Sequence, residues 1–315
     1  MTTDSQKVLI ATRGSKLALW QAEYVKSLLE NNYPQLEVEL SIIKTSGDRI
    51  TDVPLAQVGG KGLFVKEIEE SLLEGSADLA VHSLKDMPGE LPAGMELGAF
   101  PERGECADCF LSENYTDLFQ LPKNAVVGTS SVRRQSQLSS LRPDVKIHAL
   151  RGNLDTRIRK LKEGTFDAIV VAAAGLKRLG LGAKYEYRLL PPDFLPGVGQ
   201  GALGIEFRQD NEKVRELVSG IDHLPTRYTI STERSFLQRL QGSCQVPIAG
   251  LARLKGDKEI AFEALVSDLQ GKQIICSQGV DVSENAVELG VRIAEDILNR
   301  GGREILEEIY SLEQD

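Results

Sequence analysis

Between Ala125 and Arg178 one pattern occurs three times, and it narrows the fold more than any other feature of the chain. Ala125-Val126-Val127 runs into Gly128-Thr129-Ser130-Ser131 and then Arg133-Arg134. Val145 to Leu150 runs into Arg151-Gly152-Asn153 and a helix-like stretch carrying Arg157, and Phe166 to Ala174 runs into Gly175-Leu176-Lys177-Arg178. Short apolar runs alternating with helical spacing predict βαβ units and a parallel sheet. Right-handed crossovers end the three strands on one side, so Arg133, Arg134, Arg151, Arg157 and Arg178 are expected to line a single cleft. Five guanidiniums at one mouth repel one another unless carboxylates or phosphates lie among them, and arginine suits both by bidentate pairing. Arg159 reads as part of a solvated helix face.

The charge distribution points the same way. The net charge is −9, which argues against nonspecific nucleic-acid binding, yet Lys123 to Arg188 holds 14 Lys and Arg against 5 Asp and Glu. A basic block inside an acidic chain predicts a locally held anionic ligand. At 315 residues, two or three domains are expected. The longest apolar run, Ala168 to Gly175, is far too short to span a bilayer, and MTTDSQKVLIATRGSK resembles neither a secretory signal nor a transit peptide. The expected address is the cytoplasm, with the four cysteines reduced. Cys106-x-x-Cys109 reads as structural or incidental: the other two cysteines stand alone and there are three histidines, too few for a convincing metal site.

The first hundred residues alternate strand and helix. Val8 to Ala11 reads as a strand and Leu17 to Glu30 as a helix, with Ser15 as its cap and Arg13 beside backbone N–H groups open to an anion. Leu36 to Lys44 alternates like a strand. The polar, Gly-rich stretch Thr45 to Gly62 reads either as a plain loop or as a lid, with Lys61 and Phe64 as its candidate contacts. Asp78 to Ser83 reads as a buried strand ending in Leu84-Lys85-Asp86-Met87-Pro88, which puts Lys85 and Asp86 where ligands gather in α/β sheets; a solvated turn is the alternative. Met95 to Phe100 is a further apolar run, and Pro101 to Ala107 reads as a crossing into a second domain.

Leu190 to Gly197 is a Pro-rich connector, and Gly199 to Glu206 is a β run taken as the return to the first domain, so that two α/β lobes form a hinged cleft. The remainder differs in texture. A helix-like run, Arg227 to Leu240, is stopped at Gly242; three short strands follow (Val246 to Leu254, Ile260 to Ser267, Gln273 to Val280), then two amphipathic helices. This predicts a small α+β domain with a three-stranded antiparallel sheet. Cys244 falls on the turn of Gly242-Ser243-Cys244-Gln245-Val246-Pro247, either as an exposed nucleophile or as an inert small residue.

VHSLKDMP, GTSSVRRQ, LRGNLDTR, PGVGQGALGIE and GSCQVPIAG, in that order and spread over essentially the whole chain, resemble the porphobilinogen deaminase (hydroxymethylbilane synthase) family. The resemblance implies a transferase that joins four porphobilinogen molecules head to tail with loss of ammonia. It implies an α/β fold of two lobes like type 2 periplasmic binding proteins plus a C-terminal α+β domain, divided as 1–101 with 200–220, 102–199 and 221–315. It implies a dipyrromethane cofactor on Cys244, Asp86 as catalytic carboxylate, and Lys85, Ser131, Arg133, Arg134, Arg151 and Arg157 as cofactor contacts. Arg13, Ser15 and Arg178 would be substrate contacts. No metal, nucleic-acid or membrane partner is implied, and a cytoplasmic monomer is expected. Two rival readings remain: an anion-binding protein of the periplasmic type, which would need no appended thiol domain and should carry a signal sequence, and a thiol-dependent redox protein centred on Cys106 and Cys109.

Overall fold

The computed structural model describes residues 6–46, 65–242, 245–256 and 258–312. The chain forms two compact units, Met1–Gly104 with Ala202–Arg227, and Glu105–Gly201 with Tyr228–Asp315.

In the first unit β1 (Gln6–Arg13), β2 (Leu36–Ile43), β3 (Leu79–Ser83), β4 (Met95–Ala99) and β10 (Leu203–Arg208) form one sheet in the order β2-β1-β3-β10-β4. β1, β2 and β3 are parallel, and β10 runs antiparallel to β3 and β4. The period-two alternation of strands sends Val8, Ile10, Leu79 and Val81 to one face, where α1 (Lys16–Asn32) packs Ala22, Val25 and Leu29 and α6 (Glu212–Ser219) packs Val214 and Val218. Ala11 and Ala80 face the other way, against Ile68 and Leu72 of α2 (Lys66–Leu73). Each large apolar side chain so buried contributes about 1.5–3 kcal/mol, and Ile10, Leu29, Leu72, Leu79 and Phe207 are all fully buried.

The second unit repeats the arrangement. β5 (Asp108–Ser112), β6 (Val126–Gly128), β7 (Lys146–His148), β8 (Ala168–Ala172) and β9 (Tyr185–Leu189) are ordered β7-β6-β8-β5-β9. β6, β7 and β8 are parallel and β5 is antiparallel to its neighbours. In each sheet the antiparallel strand in the fourth place is the one the chain forms just after changing units: β5 after Gly104, β10 after Gly201. α3 (Val132–Leu141), α4 (Leu154–Lys162) and α5 (Ala173–Leu179) follow β6, β7 and β8.

The same unit contains α7 (Leu224–Arg239) from Tyr228 onward, and an antiparallel sheet of β11 (Ile248–Lys255), β12 (Glu259–Ser267) and β13 (Ile274–Val282). Ile260, Phe262, Ala264 and Val266 of β12 face a core shared with Phe236, with Leu289 and Ile293 of α8 (Ala286–Ile297) and with Ile305 and Ile309 of α9 (Arg303–Leu312). Phe236 meets Phe262 edge to face at 5.2 Å. The opposite face, through Ala249, Leu251 and Leu265, packs on Leu195. The helix before residue 242 ends differently from expectation: the left-handed residue is Gln241 (φ 54°). Gly242 is required for space instead, since a Cβ there would come within 2.6 Å of Leu237 and Ile248 side chains.

Candidate active site

β1 delivers Arg13 to the carboxyl edge of the first sheet, and Ser15 opens α1. Ser15 is extended (φ −71°, ψ 146°), and its Oγ accepts a hydrogen bond from the Ala18 N–H at 3.3 Å. No acidic residue occupies the first turn of α1, so the positive end of its dipole meets no carboxylate from its own helix. β3 ends at the same edge in a single 3₁₀ turn, Leu84–Asp86. Buried Leu84 and Met87 hold that turn: the Leu84 N–H donates to Ala202 O and the Met87 N–H to Leu84 O, each at 3.1 Å. Between these two anchors Lys85 is half-buried and Asp86 exposed.

Arg13, Ser15 and Asp86 line one pocket whose walls include Leu17, Gln21, Ile68, Val81, His82 and Ser83. A guanidinium, a hydroxyl and a carboxylate therefore share a cavity with an apolar floor. Gln21, 2 % exposed, pairs with Ser83 through Nε2–H···Oγ at 2.8 Å. Sequence reasoning passed over Gln21, His82 and Ser83. The signal for Gln21 was its place among Ala22, Val25 and Leu29 on the buried face of α1, where an amide needs a polar partner.

In the second unit the parallel strands place Ser131, Arg151 and the start of α5 at one edge of the sheet. Ser131 begins α3 and Asn153 begins α4, neither closing its helix with a side-chain hydrogen bond. Arg157 turns its Nε–H to Gly152 O at 2.7 Å, and Arg178 donates from Nη2 to Gly201 O at 2.8 Å. Gly152 sits at φ 103°, where a Cβ would lie 2.8 Å from Thr156.

Arg133 and Arg134 are placed differently from this group. Both are buried, and they converge on Asp108 of β5. Arg133 Nη1 lies 2.6 Å from Asp108 Oδ2 and also reaches Leu195 O at 2.9 Å; Arg134 Nε lies 2.8 Å from Asp108 Oδ1. Gln200 is the third residue to donate, with its Nε2 3.1 Å from Asp108 Oδ1. Burial pushes the Asp108 carboxyl up, but the two guanidiniums outweigh it and hold the group at about 2. The repulsion expected among five arginines is thus relieved in part by a carboxylate of the chain itself, which sequence reasoning missed because Asp108 lay at the edge of what read as a polar crossing.

Cys109, also on β5, is buried and receives an Arg188 Nη1 hydrogen bond at 2.9 Å. Burial pushes its thiol up to about 11 despite Arg188, so it stays protonated and inert, contrary to what the redox reading requires. Cys244, Lys61 and Phe64 lie outside the described residues. Among the described residues no group of His, Cys, Asp and Glu is arranged to hold a metal ion, and no helix is long and apolar enough to cross a membrane.

Residues 8–216 match the family model described as porphobilinogen deaminase, dipyromethane cofactor binding domain, and residues 227–299 match the porphobilinogen deaminase C-terminal domain. The porphobilinogen deaminase of Nitratidesulfovibrio vulgaris is 58% identical over 305 residues, 96% of this chain and 97% of that one. The same enzyme of Maridesulfovibrio salexigens is 52% identical over 97% of this chain and 99% of its own, and that of Lawsonia intracellularis 51% identical over 98% and 99%. A distant likeness, at 16% identity and a TM-score of 0.38, covers 74% of this chain and 70% of the periplasmic aliphatic sulphonate binding protein from Escherichia coli. With both family models matched in order and relatives more than half identical along nearly its full length, the chain belongs to the porphobilinogen deaminase (hydroxymethylbilane synthase) family of transferases.

Proposed function

We propose that this chain condenses four porphobilinogen molecules head to tail into hydroxymethylbilane, releasing ammonia at each step, as one reaction of tetrapyrrole biosynthesis. The observation that carries the reading is the pocket of the first unit, in which Asp86 stands on an anchored turn beside Arg13 and Ser15. Loss of ammonia from an aminomethylpyrrole leaves a cationic carbon, and an exposed carboxylate held in place is the group that stabilises such charge as it develops. Arg13, with Ser15 and the open turn of α1, suits the acid side chains of the substrate.

The residues of the second unit fit a dipyrromethane, whose two rings bring two carboxylates each. Arg151, Arg157 and Arg178, with the start of α3, supply cations and backbone N–H groups at one sheet edge; the start of α4 carries Asp155, whose Oδ1 accepts from the Thr156 N–H at 3.0 Å. Ser131 adds a hydroxyl at the same edge, while Arg133 and Arg134, bonded to Asp108, Leu195 O and Val170 O, hold the strands behind it. When bound through Cys244, the cofactor supplies the free pyrrole α-position from which growth begins. The C-terminal α+β part, from about residue 221, serves as the domain that carries this thiol, beside two lobes at 1–101 with 200–220 and 102–199. The protein works as a cytoplasmic monomer without nucleic-acid or membrane partners; its net charge of −9 disfavours polyanion surfaces, while the basic stretch from Lys123 to Arg188 favours a small anion held locally.

Two measurements test the proposal. The intact mass of freshly purified, active protein is expected to exceed that of the bare chain by two pyrrole units located at Cys244; an unmodified mass refutes it. Asp86→Asn is expected to fold normally and to lose about 10²–10³-fold in kcat, and near-normal turnover would remove Asp86 from its role.

A further inference from the structure

Behind the Asp86 pocket lies a polar cluster inside the apolar layer beneath α2. The register of β3 with β10 sets Glu206 opposite Ala80 and Gly204 opposite His82, so Glu206 and His82 point to the same sheet face, the one α2 covers. Glu206 Oε2 lies 2.9 Å from His82 Nε2, with both side chains almost wholly buried. α2 brings Glu69 onto this face, one residue from Ile68 of the pocket wall. Glu206 Oε1 and Glu69 Oε1 are both buried, and neither has a hydrogen-bond partner among the described residues. His82 itself lines the pocket at whose mouth Asp86 stands. A packed interior does not ordinarily leave two carboxylate oxygens unpaired beside a histidine.

We propose that Glu69, His82 and Glu206 form a proton store for the reaction at Asp86, with the His82 ring as the link between the pocket and the buried carboxyls. This rests on Asp86 being the catalytic carboxylate. In each coupling the C–N bond of the aminomethyl group breaks with its electrons leaving on ammonia, and a C–C bond forms from the receiving pyrrole. The α-hydrogen of that pyrrole departs as a proton. Ammonia finally carries the proton off as ammonium, so none is gained or lost overall; the store holds it between the two events. The His82–Glu206 hydrogen bond already fixes one proton between ring and carboxyl, and two adjacent buried carboxylates resist being charged together. Glu69 is accordingly raised to about 7, by burial first and by the charge of Glu206 second, with His82 opposing and Glu70 of the same helix adding to it. Arg13 from β1 and Asp86 from the turn after β3 are the other charged groups lining the pocket. Glu69 acts through His82 and touches no substrate.

Infrared titration of the intact protein, set beside the pH profile of kcat with porphobilinogen, tests this. A protonated-carboxyl band is expected to ionise near pH 7, together with one limb of the kcat profile. In Glu69→Gln that band and that limb disappear, kcat falls at least about tenfold, and KM stays within about twofold; Glu69→Asp keeps the ionisation. The proposal is overturned if the wild-type protein shows no such band. It is also overturned if band and kcat limb titrate more than about one pH unit apart, or if Glu69→Gln keeps the wild-type kcat and profile. Should Glu69→Gln fail to fold, the comparison of band and kcat in the wild-type protein decides alone. A protein that shows the band yet never turns over porphobilinogen would instead refute the function proposed above.

Discussion

Asp108→Asn is the substitution whose effect follows most directly from the structure. Asparagine keeps the shape of the side chain but removes the charge facing Arg133 and Arg134, both buried, and puts an NH₂ donor where an oxygen accepted from a guanidinium. Removing one partner from a buried ionic network costs about 3–5 kcal/mol. An independent floor comes from proton linkage: a carboxyl moved from 3.8 to about 2 favours its charged over its neutral form by about 2 kcal/mol. The folded-state value is depressed, so this contribution is complete above pH about 4 and is lost as the pH falls toward about 2. Urea unfolding at pH 7 should show the variant less stable by about 3–5 kcal/mol, and the gap to wild type should narrow by about 2 kcal/mol as the pH is lowered through that window. The exposed pair Arg159–Glu163 is the control, with its removal expected to cost at most about 0.5 kcal/mol. A loss below about 1 kcal/mol at pH 7, or a gap independent of pH, would refute the reading that Asp108 is the charge holding the arginine frame together.

Two further outcomes are expected. Gly271, at φ 70°, packs so closely that a Cβ would lie 1.9 Å from Ser136 O, whereas Gly256, at φ 66°, has nothing within 4 Å. Gly256→Ala should therefore cost only the left-handed backbone penalty of about 1–2 kcal/mol, and Gly271→Ala about 1–3 kcal/mol more; equal losses in thermal or urea unfolding would contradict this packing. Alkylation of the folded protein at pH 7 should reach exposed Cys276 well before buried Cys109, whose thiol lies near 11, and peptide mapping in which Cys109 reacts first would overturn that assignment.

Sequence pattern revealed the strands that are apolar throughout and end in a turn signal. β3 and β8 fall within the runs read from Asp78 and Phe166, β6 runs one residue past the run Ala125 to Val127, and the C-terminal strands match theirs to within two residues at either end. β5 escaped because Asp108 lies just past the crossing read over Pro101 to Ala107, and Cys106 and Cys109 read as an incidental CxxC. An aspartate in a fully buried strand makes sense only when Arg133 and Arg134 arrive from α3, and that pairing of residues 25 positions apart carries no local signal. The same limit explains the site. Lys85 and Asp86 follow from the rule that ligands collect beyond strand ends, with a solvated turn as the alternative, and Arg13 and Ser15 from the helix start. Gln21 and His82 are visible only once helix and strand are packed and their polar atoms have to find partners.

The repeated sheet order gives a reason for dividing the chemistry as the chain does. Each lobe exposes the carboxyl ends of its parallel strands, and in each the strand formed after a change of unit fills the fourth place. The frames are alike, but the residues planted on them differ: a carboxylate on a short anchored turn with Arg13 in its pocket in the first, several arginines and the open start of α3 in the second. In the proposed reaction a substrate anionic at its rim and cationic at its reacting carbon needs both signs, and crowding all the arginines around the Asp86 turn would neutralise its carboxylate, as Arg133 and Arg134 do to Asp108. Under the proposed reaction, carrying Arg151, Arg157 and Arg178 on a different sheet from Asp86 leaves Arg13 as the guanidinium lining the Asp86 pocket and reserves the others for the acid side chains.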